Sequence, residues 1–382
     1  MKEAMFYEPL TDGRVLCTLC SLYCKIAAGR RGACGVRVNV DEKLYTLVYD
    51  KIVAREVDPI EKKPFFHFQP GSRAYSIATV GCNFRCLHCQ NYEISQQPKT
   101  KTPPIRESGG EHPEVLCLSL RDLEAGIPGE PITPEDIVAA AQRSDCQSIA
   151  YTYTEPTIFF ELAYDTARLA AAEGLANLFV TNGYITEEAL AVLAPYLDAA
   201  NIDLKSFNDA AHKRMTGARL QPVLDAIRAY RRHGIWVEVT TLVIPGHNDS
   251  EAELRQIAEF ICSVGKDIPW HVTQFYPTYR LLDRAATPVK TLRRAREIGY
   301  AAGLQYVYEG NVPGEGGENT YCHQCKSLLV QRYGMQLLGN RIHAGKCPDC
   351  DTAIPGVWRL QHDSLRRGAA RHANGSAAHR TG

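Results

Sequence analysis

Gly81-Cys82-Asn83-Phe84-Arg85-Cys86-Leu87-His88-Cys89 follows directly on the apolar run Ala74–Val80, and this junction organises the chain. The run reads as a short buried strand, so the three cysteines sit on the loop at its carboxyl end. Their x3 and x2 gaps let three thiolates wrap one [4Fe–4S] cluster. Such clusters normally take four cysteines, so a triplet with no close fourth leaves one iron open. An open iron suits a cluster that binds and reduces a substrate rather than one that only relays electrons. A three-ligand zinc site completed by His88 is the competing reading.

Outward from that loop, a short apolar run, a turn and a longer amphipathic stretch repeat from Ala74 to about Val312. The runs are Ala74–Val80, Ser148–Tyr153, Ala176–Thr181, Ala200–Leu204, Trp236–Ile244, Trp270–Phe275 and Leu304–Tyr308. Helical patterns lie between them at about 157–173, 186–195, 219–233, 250–264 and 288–302, with Thr186 and Ser250 as expected N-caps. This alternation predicts an α/β fold whose parallel sheet closes into a full or partial (β/α) barrel. Functional groups of such folds gather at the carboxyl ends of the strands.

Residues 1–70 are expected to form a cysteine-rich extension with strands at Leu44–Tyr49 and Ile52–Val57. Residues 71–312 form the barrel, 313–360 a zinc-ribbon-like module and 361–382 a disordered tail low in apolar residues. The Pro-, Gly- and charge-rich segment 98–131 interrupts the barrel pattern, as a surface excursion or a loop touching substrate or partner.

Of 382 residues, 43 are Lys or Arg and 43 Asp or Glu, so net charge gives no electrostatic case for nucleic acid or membrane binding. No apolar run approaches the roughly 20 residues of a membrane span. The start, Met1-Lys2-Glu3-Ala4-Met5-Phe6-Tyr7-Glu8, lacks a signal peptide's apolar stretch. A cytoplasmic location is expected, and there the 14 cysteines read as metal ligands rather than disulfides. Cys322-x2-Cys325 and Cys347-x2-Cys350 are paired knuckles suited to a structural zinc, with rubredoxin-like iron the alternative. Cys17-x2-Cys20-x3-Cys24-x9-Cys34 could close around one zinc or hold an auxiliary [4Fe–4S] cluster. The Gly/Glu-rich stretch 309–318 reads as the hinge into the terminal module.

The C-x3-C-x2-C loop after a first barrel strand resembles that of radical S-adenosylmethionine (SAM) enzymes. The resemblance implies that SAM chelates the open iron of a cluster held by Cys82, Cys86 and Cys89. Its reductive cleavage would give methionine and a 5′-deoxyadenosyl radical that abstracts hydrogen from a protein or small-molecule substrate. It also gives Phe84, the aromatic of the loop, a place beside the cofactor.

Further segments resemble the pyruvate formate-lyase activating enzyme group. Glu155-Pro156 stands where that group carries Gly-Gly-Glu-Pro, with Tyr153 and Thr154 in place of the glycines, and the resemblance puts Glu155 on the SAM ammonium. A helix N-terminal acid is the bland reading of Glu155. Thr181-Asn182-Gly183 and Asp203-Leu204-Lys205 resemble its T-N-G and D-L-K segments, which imply SAM contacts for Thr181, Asn182, Asp203 and Lys205. By geometry alone, Asp203 and Lys205 share one side of a strand at i, i+2. Leu242-Val243-Ile244-Pro245-Gly246-His247-Asn248-Asp249 resembles a further turn of the group, while His271 reads as a satisfied histidine at a strand start.

Over almost the full length to about residue 360 the chain resembles the radical SAM component of the AmmeMemoRadiSam system. The segments Arg31-Gly32-Ala33-Cys34-Gly35-Val36, Asp58-Pro59-Ile60-Glu61-Lys62-Lys63-Pro64 and Cys89-Gln90-Asn91 carry that likeness. It implies Memo-like and AMMECR-like partner proteins, with an electron donor such as flavodoxin or ferredoxin. The competing function class is an iron–sulfur and zinc binding module for electron transfer or scaffolding. Polar residues at the strand ends argue against that class.

Overall fold

The computed structural model describes residues 1–100 and 126–358, so Cys117, most of the 98–131 segment and the tail after residue 361 lie outside it. One eight-stranded sheet dominates. Its strands are β1 (Ala54–Pro59), β2 (Arg73–Ala78), β3 (Ser148–Tyr151), β4 (Ala176–Thr181), β5 (Ala199–Asp203), β6 (Trp236–Val243), β7 (Trp270–Gln274) and β8 (Val307–Gly310). They lie side by side in chain order, β2 to β8 all parallel and β1 antiparallel on β2. β1 and β8 are both edges, so the barrel is partial. Seven parallel strands follow the seven apolar runs within a few residues, because strands covered on both faces must be apolar almost throughout. β1 enters the sheet ahead of residue 71, so the barrel begins inside the expected extension.

Helices α1 (Pro134–Arg143), α2 (Phe160–Ala172), α3 (Glu187–Leu193), α4 (Asp209–Thr216), α5 (Gln221–Arg232), α6 (Glu251–Val264) and α7 (Val289–Ala301) form the crossovers. α1 and α4 were not expected. α1 does carry a sequence signal, a capping box in which Thr133 and Asp136 hydrogen-bond reciprocally, with Pro134 at the first position. α4 is short and polar, and its signals are its caps, Asn208 accepting from Ala211 N at the start and the left-handed Gly217 at the end. Ser250 caps α6 by accepting from Glu253 N at 3.3 Å. Thr186 does not cap α3: its hydroxyl donates to Thr18 O at 2.9 Å and ties the amino-terminal lobe to the end of β4.

That lobe consists of two small antiparallel sheets, Lys2–Glu3 with Lys43–Thr46 and Arg37–Val40, and Tyr7–Pro9 with Val15–Cys17 and Lys25–Ile26. Its apolar side chains, among them Val15, Val36 and Leu44, share one core with Ile77 and Phe160 of the barrel. A buried ion pair, Arg37 Nη2 to Glu161 Oε1 at 2.6 Å, fastens it to α2.

The terminal module is docked rather than hinged. β9 (Thr320–Tyr321), β10 (Leu328–Tyr333) and β11 (Gln336–Asn340) form its hairpin sheet. Cys322, Leu329, Cys347 and Ile354 pack with Phe66, Tyr306 and Tyr308 near the amino ends of the last barrel strands. Arg332, itself buried, donates to Phe66 O at 2.8 Å. Glu238 secures the same base by accepting from Phe66 N, His67 N and Trp236 Nε1 and meeting His271 Nε2 at 2.6 Å. His271 is thus the satisfied histidine its position suggested. The two flanking cysteine sets therefore lie at opposite ends of the barrel.

Candidate active site at the strand ends

The cysteine loop leaves β2 through Gly81, which adopts φ +100°. A Cβ there would stand 2.9 Å from Cys34 O and 2.8 Å from the Val36 side chain, so only glycine permits this approach. The loop is then held by α4, whose terminal carbonyls accept from it: Arg85 N to Thr216 O at 2.7 Å and Leu87 N to Met215 O at 2.9 Å. Carbonyls left over at a helix end are in this way satisfied by the cluster loop itself. Cys82 Sγ accepts from Phe84 N at 3.4 Å, and Cys89 Sγ lies 3.2 Å from Ser95 Oγ.

Phe84 is buried in the core, with its ring edge-on to Tyr184 at 5.1 Å and to His212 at 5.9 Å. It braces the loop from behind, since an aromatic side chain of that size gains most by full burial. Beside the triplet, Asn83 Nδ2 and both ring nitrogens of His88 are buried without a hydrogen-bond partner among the described residues. Buried polar atoms of this kind call for a bound group. Burial, with Lys205 nearby, holds the His88 pKa down at about 3 and keeps the ring neutral.

Glu155 stands after β3, and its carboxylate is already engaged. Oε1 accepts from Thr157 N, Thr157 Oγ1 and Thr181 Oγ1, at 2.6 to 3.1 Å, and Oε2 accepts from Asn182 N at 2.8 Å. It caps the 3-10 turn Pro156–Phe159 and joins the ends of β3 and β4. Thr181 accepts from Gly183 N at 3.0 Å, and Thr154 Oγ1 donates to Thr79 O at 2.9 Å. Asn182 Nδ2 donates to Asn83 Oδ1 at 2.8 Å, tying the T-N-G turn to the cysteine loop. Thr154, Glu155, Thr181 and Asn182 thus stand together at the ends of β3 and β4, where their polar atoms chiefly build the site's frame.

Tyr153 carries the clearest departure from the glycine-rich pattern, and the backbone explains it. It adopts φ +62°, the left-handed conformation that glycine enters without cost. Its hydroxyl hydrogen-bonds Asp58, and its ring lies 4.1 Å beneath the Lys63 ammonium. Lys63 pairs with Asp58 at 2.7 Å while buried, and burial lowers its pKa to about 8. The glycines are gone but the turn persists. The sequence offered one signal for this anchor, the Asp58–Pro64 segment that carried the family likeness.

Asp203 and Lys205 meet as their spacing predicts, Nζ to Oδ2 at 2.7 Å. Burial opposes the lysine's charge, but Asp203 and the sulfurs of Cys86 and Cys89 outweigh it and hold its pKa above the usual lysine value. A cation facing two of the three cysteines fits a thiolate cluster. Asn248, noted in the sequence only as part of the Leu242–Asp249 turn, is fully buried and donates to Lys205 O and Leu242 O, both at 2.9 Å. Among the described residues, His88 and the triplet do not gather their ligand atoms within 4.8 Å, as the zinc alternative would need. The donor set fits an iron–sulfur cluster.

A model of the Radical SAM superfamily matches residues 76–261, spanning the cysteine loop and the ends of β3 to β6. An uncharacterized protein of Methanocaldococcus jannaschii is 42% identical over 357 residues, 93% of this chain and 99% of that one. The chain belongs to the radical SAM superfamily. An isethionate sulfite-lyase activating enzyme of Nitratidesulfovibrio vulgaris is 38% identical over 131 residues, 31% of this chain and 42% of that enzyme. Among solved structures, a domain of a pyruvate-formate lyase-activating enzyme from Bacteroides vulgatus covers 43% of this chain and 99% of its own, at 17% identity and a TM-score of 0.39.

At the far end of this radical SAM fold, Cys322, Cys325, Cys347 and Cys350 bring their sulfurs within 4.8 Å of one another. The Cys322–Cys350 and Cys325–Cys347 separations are both 3.6 Å. Four sulfurs around one tetrahedral ion at 2.3 Å would stand about 3.8 Å apart, so the set can hold a metal ion. Cys17, Cys20, Cys24 and Cys34 are not gathered so closely. No helix of the described residues is long and apolar enough to cross a membrane.

Proposed function

We propose that this protein binds a [4Fe–4S] cluster at Cys82, Cys86 and Cys89 and SAM at the adjoining strand ends, and abstracts hydrogen from a protein or small-molecule substrate. The observation that carries the reading is the meeting, at the ends of neighbouring parallel strands, of three cysteines, the Tyr153–Glu155 turn and the Lys205 ammonium. When bound, the cluster supplies one electron that cleaves SAM to methionine and a 5′-deoxyadenosyl radical. Three thiolates leave one iron for the amino acid part of SAM. Lys205 offsets thiolate charge and offers an ammonium to a carboxylate, and Asp203 and Asn248 fix where it stands. Glu155 keeps the ends of β3 and β4 in register, with Oε2 the less occupied oxygen for an ammonium group. The left-handed Tyr153 leaves a glycine-like backbone path there, so loss of the glycine pair does not count against an activating-enzyme type of chemistry. A structural zinc at Cys322, Cys325, Cys347 and Cys350 braces the barrel's base.

Memo-like and AMMECR-like proteins are the proposed partners and a flavodoxin or ferredoxin the proposed electron donor, in the cytoplasm; the near full-length resemblance supports this. The test is anaerobic reconstitution with iron and sulfide, dithionite reduction and SAM addition. The expected products are 5′-deoxyadenosine and methionine, lost in Cys86→Ala. A fully loaded, reducible cluster that yields neither product would refute the reading and favour an electron-transfer or scaffold protein.

A further inference from the structure

We propose that Cys17, Cys20, Cys24 and Cys34 hold a second [4Fe–4S] cluster, seated against the catalytic loop, and not a zinc ion. Spacing distinguishes the two. Among the described residues, the carboxyl-terminal four are the one group of three or more candidate ligands whose atoms all lie within 4.8 Å. The amino-terminal four lie in one lobe, where Cys17 N donates to Cys24 O at 2.9 Å, yet their sulfurs are set wider. A cubane holds its four thiolates farther apart than a single ion does, because the irons and sulfides occupy the middle. The Cys82, Cys86 and Cys89 triplet shows the same wider setting within this chain.

The surroundings suit a buried anion. Arg37 is 2% exposed, its Nε and Nη1 have no hydrogen-bond partner among the described residues, and its charge acts on Cys17 and Cys34. Arg31 and, from the catalytic loop, Arg85 add positive charge within electrostatic reach of Cys34 and Cys24. Four thiolates around zinc would carry a comparable charge, so these arginines argue for a site and the spacing for its occupant.

Position then suggests the role. Cys20 bridges to Ile185, Ser21 N donates to Tyr184 O at 3.0 Å, and the Cys34 carbonyl lies against Gly81. The lobe thus abuts the turn after β4 and the loop that carries Cys82. With a cysteine on each iron the second cluster has no open position, so it passes electrons. One electron from a low-potential donor of the flavodoxin or ferredoxin type reduces it, and the same electron then moves to the neighbouring cluster. This role rests on the radical SAM reading; the occupant does not.

The experiment uses the full chain with Cys82→Ala, Cys86→Ala and Cys89→Ala combined, which leaves the amino-terminal lobe untouched. After anaerobic reconstitution, iron, sulfide and zinc are counted and the dithionite-reduced sample is examined by EPR, with and without SAM. The expected result is about four iron and four sulfide per chain, against about eight in the wild type, with a reduced-cluster signal that SAM leaves unchanged. A variant free of iron that holds a second equivalent of zinc would overturn the proposal. If the active-site reading alone is wrong, the variant still carries its four iron while SAM also leaves the wild-type signal unchanged.

Discussion

Replacing Tyr153 with glycine tests whether the turn after β3 is anchored or merely tolerated. The residue holds φ +62°, so glycine relieves left-handed strain of about 1–2 kcal/mol, less the roughly 0.5–1 kcal/mol by which glycine favours the unfolded chain. Against this gain stands the hydroxyl bond to the Asp58 carboxylate, about 1.5–3 kcal/mol for a charged acceptor. The Lys63 ammonium 4.1 Å from the ring adds about 2 kcal/mol in a desolvated setting. The balance is a loss of about 3 kcal/mol. Urea unfolding of the reconstituted protein measures it, with Tyr153→Phe as the companion, since it keeps the ring under Lys63 and loses only the hydroxyl. A Tyr153→Gly protein as stable as the wild type, or more so, would show that the Asp58–Lys63 anchor contributes nothing and that the chain simply departs from a glycine position.

Two further outcomes follow from the base of the barrel. His67 is fully buried between Pro355 O and the Tyr308 hydroxyl, each at 2.6 Å, and burial lowers its pKa to about 4. The unfolded chain takes up that proton near pH 6.5 and the folded chain only near pH 4, so stability is lost as pH falls through this window, by about 3 kcal/mol. Urea midpoints at pH 7.5 and 4.5 should fall less steeply in His67→Gln than in the wild type, and equal slopes would refute the assignment. Cys322→Ser should release one metal equivalent, counted by elemental analysis, and lower the melting temperature while the cluster absorbance at Cys82, Cys86 and Cys89 persists. Unchanged metal content would remove the four-cysteine site.

The strands were legible because a parallel sheet covered on both faces demands nearly unbroken apolar runs, and Trp236–Val243 or Ala176–Thr181 can be little else. The triplet was legible because thiolate spacing along a loop is fixed by the cluster it wraps. Asp203 and Lys205 were legible as neighbours from their i, i+2 spacing, although β5 ends at Asp203 and Lys205 stands just past it. α4 was not, because Asp209–Thr216 is short and polar, without an apolar stripe to mark it between its Asn208 and Gly217 caps, and its last carbonyls are held by the distant cysteine loop.

The sequence by itself determined a (β/α) barrel, left open as full or partial, with a cysteine triplet at the end of its first parallel strand, through patterns that act over a few residues. Only the tertiary structure decided what Glu155, Thr181 and Asn182 are bonded to, because those bonds join the ends of different strands. It alone put Tyr153 over a glycine's backbone path, using Asp58 and Lys63 from 95 and 90 positions away to hold it there. The two cysteine sets are alike in the sequence as clusters of thiols. Their separation to opposite ends of the sheet, one close-set and one wide, depends on the packing of each lobe against the barrel, which no local spacing encodes.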